Sequence, residues 1–221
     1  MKIKAMIFDL DNTLIDFMRM KRLSYEAAMD AMISAGLKIN KEKGLKTMFQ
    51  LYLQYGFEYQ KIFQVFMKKV LGRIDYAIMA SGIVAYRRVK EGLLYPYPNV
   101  VPTLNKLKKK YRLAILSDAP KIQAWIRLAA MGIQDKFDMV ITFDETKSKK
   151  PSLKPFIYLL KKLKLKSEEC VMIGDSMKRD IAPAKHLGFK TVFAKYGEDK
   201  EKAKVKPDYI INDIKELLKI L

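Results

Sequence analysis

Two aspartates one residue apart, Asp9 and Asp11, stand in the run Asp9-Leu10-Asp11-Asn12-Thr13-Leu14, directly after the apolar stretch Ile3 to Phe8. Carboxylates this close repel, and burying both without compensation would cost several kcal/mol. A divalent cation removes the conflict, and magnesium favours oxygen ligands. The plainer alternative is a surface turn whose Asp and Asn satisfy backbone groups. Ser117-Asp118 follows a second apolar run, Leu113 to Leu116. Its hydroxyl could hydrogen-bond a phosphate, or equally cap a helix starting near Pro120. Lys149-Lys150-Pro151 offers a cation that could neutralise phosphate and hold carboxylates, although lysine is common throughout this chain. Last comes Gly174-Asp175-Ser176-Met177-Lys178-Arg179-Asp180, after Cys170 to Ile173. Gly174 permits a tight turn there. Asp175 is a third carboxylate, with Asp180 one helical turn on. A capping role would account for Asp175 but not for two more acids after the first run.

Each of the acid and hydroxyl groups lies just beyond a strand-like run. Six such runs occur: Ile3 to Phe8, Leu113 to Leu116, Met139 to Phe143, Cys170 to Ile173, Lys190 to Ala194 and Tyr209 to Ile211. From Pro98 onward they alternate with helical patterns such as Val100 to Lys110 and Leu153 to Leu163. That alternation predicts an α/β fold with a Rossmann-like parallel sheet covered on both faces. Ligands then bind beyond the carboxyl ends of the strands, where these residues fall. The stretch from Asp16 to Leu94 breaks the rule. Its apolar residues recur at three and four, predicting four or so helices and no strand. We read 16–94 as an inserted helical domain and 1–15 with 95–221 as the core. Tyr95-Pro96-Tyr97-Pro98 is the return hinge, since proline fixes its own backbone and restricts its neighbour. The thirteen methionines, many in 16–94, fill a plastic core more simply than they bind a cofactor. His186, the sole histidine, reads as a surface or packing residue.

Half of the 221 residues are apolar, enough for a sizeable core. No stretch approaches the roughly 18 uncharged apolar residues that span a bilayer. The N-terminal run reads as a buried strand and not as a signal peptide. With a single cysteine, Cys170, there is no internal disulfide framework, and the expected location is the cytoplasm. The net charge of +19 admits a nucleic-acid partner or merely a lysine-rich background. Lys106 to Lys110 and Lys161 to Lys166 interleave with leucine as a solvated helix face would, which favours background. A positive field would still steer an anionic substrate.

Taken together and in order, these motifs make the chain resemble the haloacid dehalogenase superfamily of phosphotransferases. The resemblance rests on Asp9-Leu10-Asp11-Asn12-Thr13, Ser117, Lys150-Pro151 and Gly174-Asp175 with Asp180, and continues through Ile181 to Val192. It implies a mobile helical cap inserted after the first motif. It implies a magnesium-dependent phosphatase in which Asp9 is the nucleophile and Asp11 the general acid and base. Mg2+ would be held by Asp9, Asp175 and the Asp11 main-chain carbonyl, with Asp180 acting through water or behind them. Thr13 would support the acid loop and belong with Ser117 and Lys150 to the phosphate-binding set. The expected substrate is a small phosphorylated metabolite, phosphoglycolate-like or a sugar phosphate, and the protein a monomer or homodimer with no membrane association. Two departures stand out. Asp118 takes a place where Asn is usual, and is expected to offer backbone groups or point away. Leu153 replaces a second proline. The alternatives within the superfamily are a halide-releasing enzyme or a phosphomutase, and outside enzymes a basic binding protein on the same scaffold.

If the charge is background, duplex or single-stranded nucleic acid should bind weakly, without sequence preference, and fade steeply as salt rises. Tight, sequence-dependent binding near physiological salt, in a filter or anisotropy assay, would reverse that reading.

Overall fold

The computed structural model describes residues 2–197 and 204–220. Two compact units divide the chain, one of Met1–Phe17 with Tyr95–Leu221 and one of Met18–Leu94.

The first unit is built on six parallel strands: β1 (Ala5–Phe8), β2 (Arg112–Leu116), β3 (Met139–Ile141), β4 (Cys170–Gly174), β5 (Lys190–Ala194) and β6 (Tyr209–Ile211). Their order across the sheet is β3-β2-β1-β4-β5-β6, which places the first strand of the sequence at the centre. The four residues of β1, Ala-Met-Ile-Phe, are all fully buried, as a strand covered on both faces requires. Alternate side chains Ala5 and Ile7, Ala114 and Leu116, and Cys170 and Met172 share one face. They pack there with Phe156, Leu159 and Leu163 and with Ala184 and Phe189.

Helices of this unit follow the alternation expected: α5 (Val100–Leu107), α6 (Lys121–Ala130), α7 (Phe143–Thr146), α8 (Lys154–Leu163), α9 (Ala182–His186) and α10 (Leu217–Ile220). In α8, Pro155 occupies the first turn, where its missing N–H costs nothing. Phe156, Leu159 and Leu163 form its buried stripe, while Lys161, Lys162 and Lys164 face solvent. Leu107 is likewise buried between exposed Lys106 and Lys108, so these lysines lie on solvated faces. His186 is exposed. Some boundaries differ from the sequence reading: β1 begins at Ala5 and not Ile3, and α5 ends at Leu107 and not Lys110. The third strand stops at Ile141 because Thr142 and Glu145 form a capping box that starts α7 at Phe143. The stretch between Ala119 and Lys149 therefore holds a second, short helix.

The second unit is four helices, α1 (Phe17–Ser34, whose first residue belongs to the other unit), α2 (Lys41–Tyr55), α3 (Ile62–Leu71) and α4 (Tyr76–Gly92), with no strand among its residues. Asn40 and Asp75 cap α2 and α4 by accepting from Lys43 N and Ile78 N. Met29, Met32, Met48 and Met67 are buried in its own core beside Tyr25, Tyr52 and Phe66. Among the described residues no helix is long and apolar enough to cross a membrane.

Phe156 is fully buried and meets Phe189 edge-on, with ring centroids 6.1 Å apart. Phe156→Ala is expected to destabilise this unit by about 3–5 kcal/mol, the usual cost of a large cavity. Urea denaturation should show a lower midpoint with an unchanged slope.

Candidate active site

Register in the sheet sets Phe8 beside both Ile115 and Ile173. The loops after β1, β2 and β4 therefore open at one sheet edge. The strand order reverses between β1 and β4, the place where such sheets bind ligands. Asp9 leaves the end of β1 and Asp175 the end of β4, one on each side of that point. Both are almost wholly buried.

Lys150, on the loop before α8, joins the groups. Its buried ammonium donates to Asp9 Oδ1 at 2.7 Å, Asp180 Oδ1 at 2.6 Å and the Leu116 carbonyl at 3.0 Å. An ammonium has three protons, and three acceptors meet it. Asp180 is carried inward by a wide π-type turn over Met177–Ile181, in which Asp180 N and Ile181 N both donate to Ser176 O. Its second oxygen, Oδ2, accepts from Ser176 N at 3.1 Å. Asp9, Asp175 and Asp180 each offer an oxygen, all within 4.8 Å of one another. Gly174 matters here for space and not for a turn: a Cβ on it would collide with the Asp180 carboxylate.

The first loop is tied down separately. Asn12 takes a left-handed φ of 60° and its N–H donates to Ile15 O at 2.7 Å. Thr13 Oγ1 donates to Asp175 Oδ1 at 3.3 Å. Ser117 Oγ accepts from Ala119 N at 3.2 Å and does not cap α6, which begins beyond Pro120 without a side-chain cap. Asp118 differs from expectation. Its carboxylate accepts from Lys150 N at 2.8 Å, and so anchors the backbone of the lysine. Arg179 Nη1, 3.8 Å from Asp118 Oδ2, offsets that extra charge.

A family model described as haloacid dehalogenase-like hydrolase matches residues 3–188. The chain belongs to that family. Within it, glyceraldehyde 3-phosphate phosphatase of Methanocaldococcus jannaschii is 38% identical over 221 residues, covering 99% of this chain and 97% of its own. The crystal structure of a haloacid dehalogenase-family phosphatase from Thermococcus onnurineus is 28% identical with a TM-score of 0.71, covering 99% of this chain and 97% of that one. The family hydrolase YfnB of Bacillus subtilis, solved bound to magnesium, shares the fold at 19% identity and a TM-score of 0.74, covering 100% and 99%.

In this hydrolase the buried acids outnumber the buried lysine. Burial, and then the charges of Asp9 and Asp180, push Asp175 up to about 8. Burial also raises Asp180, to about 6, although Lys150 opposes it. For Lys150, burial works downward, but Asp180, Asp9 and Asp118 outweigh it and hold the ammonium above the usual lysine range. A proton or a divalent cation can relieve Asp175. Its Oδ2 is buried with no hydrogen-bond partner among the described residues. An orphaned buried oxygen inside a three-carboxylate cluster suits a hard cation with oxygen ligands, so the residues present fit magnesium.

Three participants escaped the sequence reading. Tyr196, after β5, donates its hydroxyl to Thr13 O at 2.9 Å and is met edge-on by Tyr97. A Cβ on Gly197 would collide with the Asp175 side chain and come 2.8 Å from Asn12 O, so only glycine fits between them. Arg127 of α6, only 2% exposed, donates from Nη1 to Asp11 Oδ2 at 3.0 Å. A Tyr-Gly pair closing a strand is a faint signal, and a buried arginine has none.

The raised Asp175 pKa has a consequence for stability. Its favourable contribution is complete below the unfolded value of 3.8 and is lost as pH rises through about 8. In excess chelator the protein should lose stability across that window. Asp175→Asn should flatten the loss and raise Tm at pH 8.5 by roughly 2–8 °C, the span that about 1–2 kcal/mol gives at this size. The same variant should gain less from added magnesium than wild type does. A chelated variant that melts lower than wild type at pH 8.5 would contradict the charge argument.

Proposed function

We propose that this hydrolase is a magnesium-dependent phosphomonoesterase that works through an aspartyl-phosphate on Asp9, acting on a small phosphorylated metabolite. One observation carries the reading. The Asp9 carboxylate is held by a buried ammonium beside two further acids, with Asp11 two residues away on the same loop. The relative named for glyceraldehyde 3-phosphate, a triose phosphate, supports that compound as the first substrate to try, ahead of phosphoglycolate and other sugar phosphates.

Asp9 attacks phosphorus while the bond to the ester oxygen breaks. Asp11 gives its proton to the departing alkoxide, and alcohol leaves. The Asp11 carboxylate then takes a proton from water. That water attacks the phosphorus of the aspartyl-phosphate, breaking its bond to Asp9, so that phosphate is released, the Asp9 carboxylate is restored and Asp11 is left protonated for the next turnover. Splitting one hard displacement into two is the usual benefit of a carboxylate nucleophile. Ser117 donates to a phosphoryl oxygen, and Lys150, while bridging Asp9 and Asp180, supplies positive charge beside the phosphoryl group. Thr13 steadies Asp175 and the acid loop. Asp9, Asp175 and the Asp11 main-chain carbonyl would hold magnesium, with Asp180 behind them, and the bound ion would supply positive charge for the transferring phosphoryl group. The four-helix unit serves as the cap that selects substrates.

A halide departs without a proton, so Asp11 would be idle in a dehalogenase. Phosphate release from a panel of phosphorylated metabolites should require magnesium and stop in excess chelator. Asp11→Asn should lower turnover by about 10²–10⁴-fold, the range for a lost general acid and base. Asp9→Asn should abolish both turnover and the acid-trapped phosphoenzyme. Metal-free halide release from 2-haloacids, unchanged in Asp11→Asn, would retire the proposal.

A further inference from the structure

Arg127 lies on the face of α6 that carries buried Ala124 and Leu128. An apolar side chain would be the cheap occupant of such a position, since removing a guanidinium from water is costly unless charges and hydrogen bonds replace the water. Here Nη1 meets Asp11 Oδ2 at 3.0 Å, and the guanidinium carbon sits 4.5 Å from the centroid of the Phe17 ring. The first contact is a charge-assisted hydrogen bond. The second is a cation over an aromatic face.

The two partners of the ion pair are not equivalent. The Arg127 side chain is 2% exposed and the Asp11 side chain 24%. The arginine is the fixed member, wedged between helix and ring, and the aspartate is the more exposed of the two. The backbone beneath Asp11 is already set by the Asn12 turn. What the backbone does not set is rotation of the Asp11 side chain, and a planar guanidinium bound to one oxygen restricts that rotation.

We propose that Arg127 is a positioning residue for Asp11. By holding Oδ2 it fixes the orientation of the carboxyl group that exchanges protons with the leaving oxygen and with water. This rests on the acid role given to Asp11 above. Displacing a reacting group by an ångström can cost about 10²-fold in rate, so a fixed orientation is worth a buried charge.

The test is a leaving-group series. The ratio kcat/KM covers steps up to transfer of phosphorus to Asp9, where the proton is needed. Nitrophenolate departs without one and an alkoxide does not. Arg127→Met should lower kcat/KM for alkyl phosphates by about 10–100-fold, a fraction of full general-acid loss, and that for nitrophenyl phosphate by no more than about threefold. Arg127→Lys, which keeps the charge without the fork, should fall between and guards against a misfolded Met variant; melting curves confirm that each is folded. In an Asp11→Asn background neither change should cost anything further on alkyl phosphates. Equal loss on both substrate classes, or an additive loss without Asp11, would show that Arg127 only holds the fold. A faster enzyme would show that it keeps Asp11 away from the leaving group. Absence of leaving-group dependence in Asp11→Asn itself would overturn the acid role, and the proposal with it.

Discussion

The ammonium of Lys150 lies at the meeting point of three separate chain segments, and its burial is tolerable only because two carboxylates and a carbonyl surround it. Those carboxylates are in turn tolerable only because the ammonium is there. This mutual dependence explains why so many neighbours serve orientation instead of reaction. Asp118 holds the lysine's own amide, and Ser176 N satisfies the second oxygen of Asp180. Thr13 and the Tyr196-Gly197 corner press on Asp175 from the other side. One positive charge among three buried acids leaves an imbalance, and Asp175 carries it as a raised proton affinity. A site strained in this way gives up stability for the capacity to take a cation and an anionic group together.

Much of this was legible in the sequence because parallel sheets leave a simple trace. Buried strands read as short apolar runs, and the residues just past the end of each run share one sheet edge. All six strands were visible, since β1, β2 and β4 have almost no polar residue to confuse them. The early end of β3 was not, because Phe143 continues the apolar pattern while the capping Thr142 and Glu145 break it. Asp118 misled for another reason: a negative side chain beside phosphate looks harmful until its partners, a backbone amide and Arg179, are seen. Arg127 was hidden by a rival pattern. Ile122, Trp125 and Ile126 form an apolar stripe at helical spacing, which would be expected to face inward and put the arginine outside. In the fold that stripe is exposed, at 65, 37 and 41%, and the arginine is buried. Amphipathic spacing finds a face; it does not say which of two faces the tertiary structure selects.

The two units differ in how far along the chain their contacts reach. The four-helix unit is one continuous segment with its own core. The sheet unit is interrupted, and its central strand β1 pairs only with β2, in register from Ala5 with Arg112, and β4, from Ala5 with Cys170. The acids Asp9 and Asp11 on one side and Asp175 and Asp180 on the other are thus far apart in sequence and meet at the adjacent strands β1 and β4.

That placement of β1 governs the order of events during synthesis. Strand β1 leaves the ribosome well before its partners, which follow it by some hundred residues or more, and must wait for them. At about 5–20 residues per second the wait for β4 is on the order of ten to thirty seconds. Contacts of long sequence separation are slow to form in any case. The helical segment needs no such partners and can become compact while the apolar β1 is still exposed. The strand that carries Asp9 is therefore the segment most in need of protection in the nascent chain, and completion of the sheet is a late step.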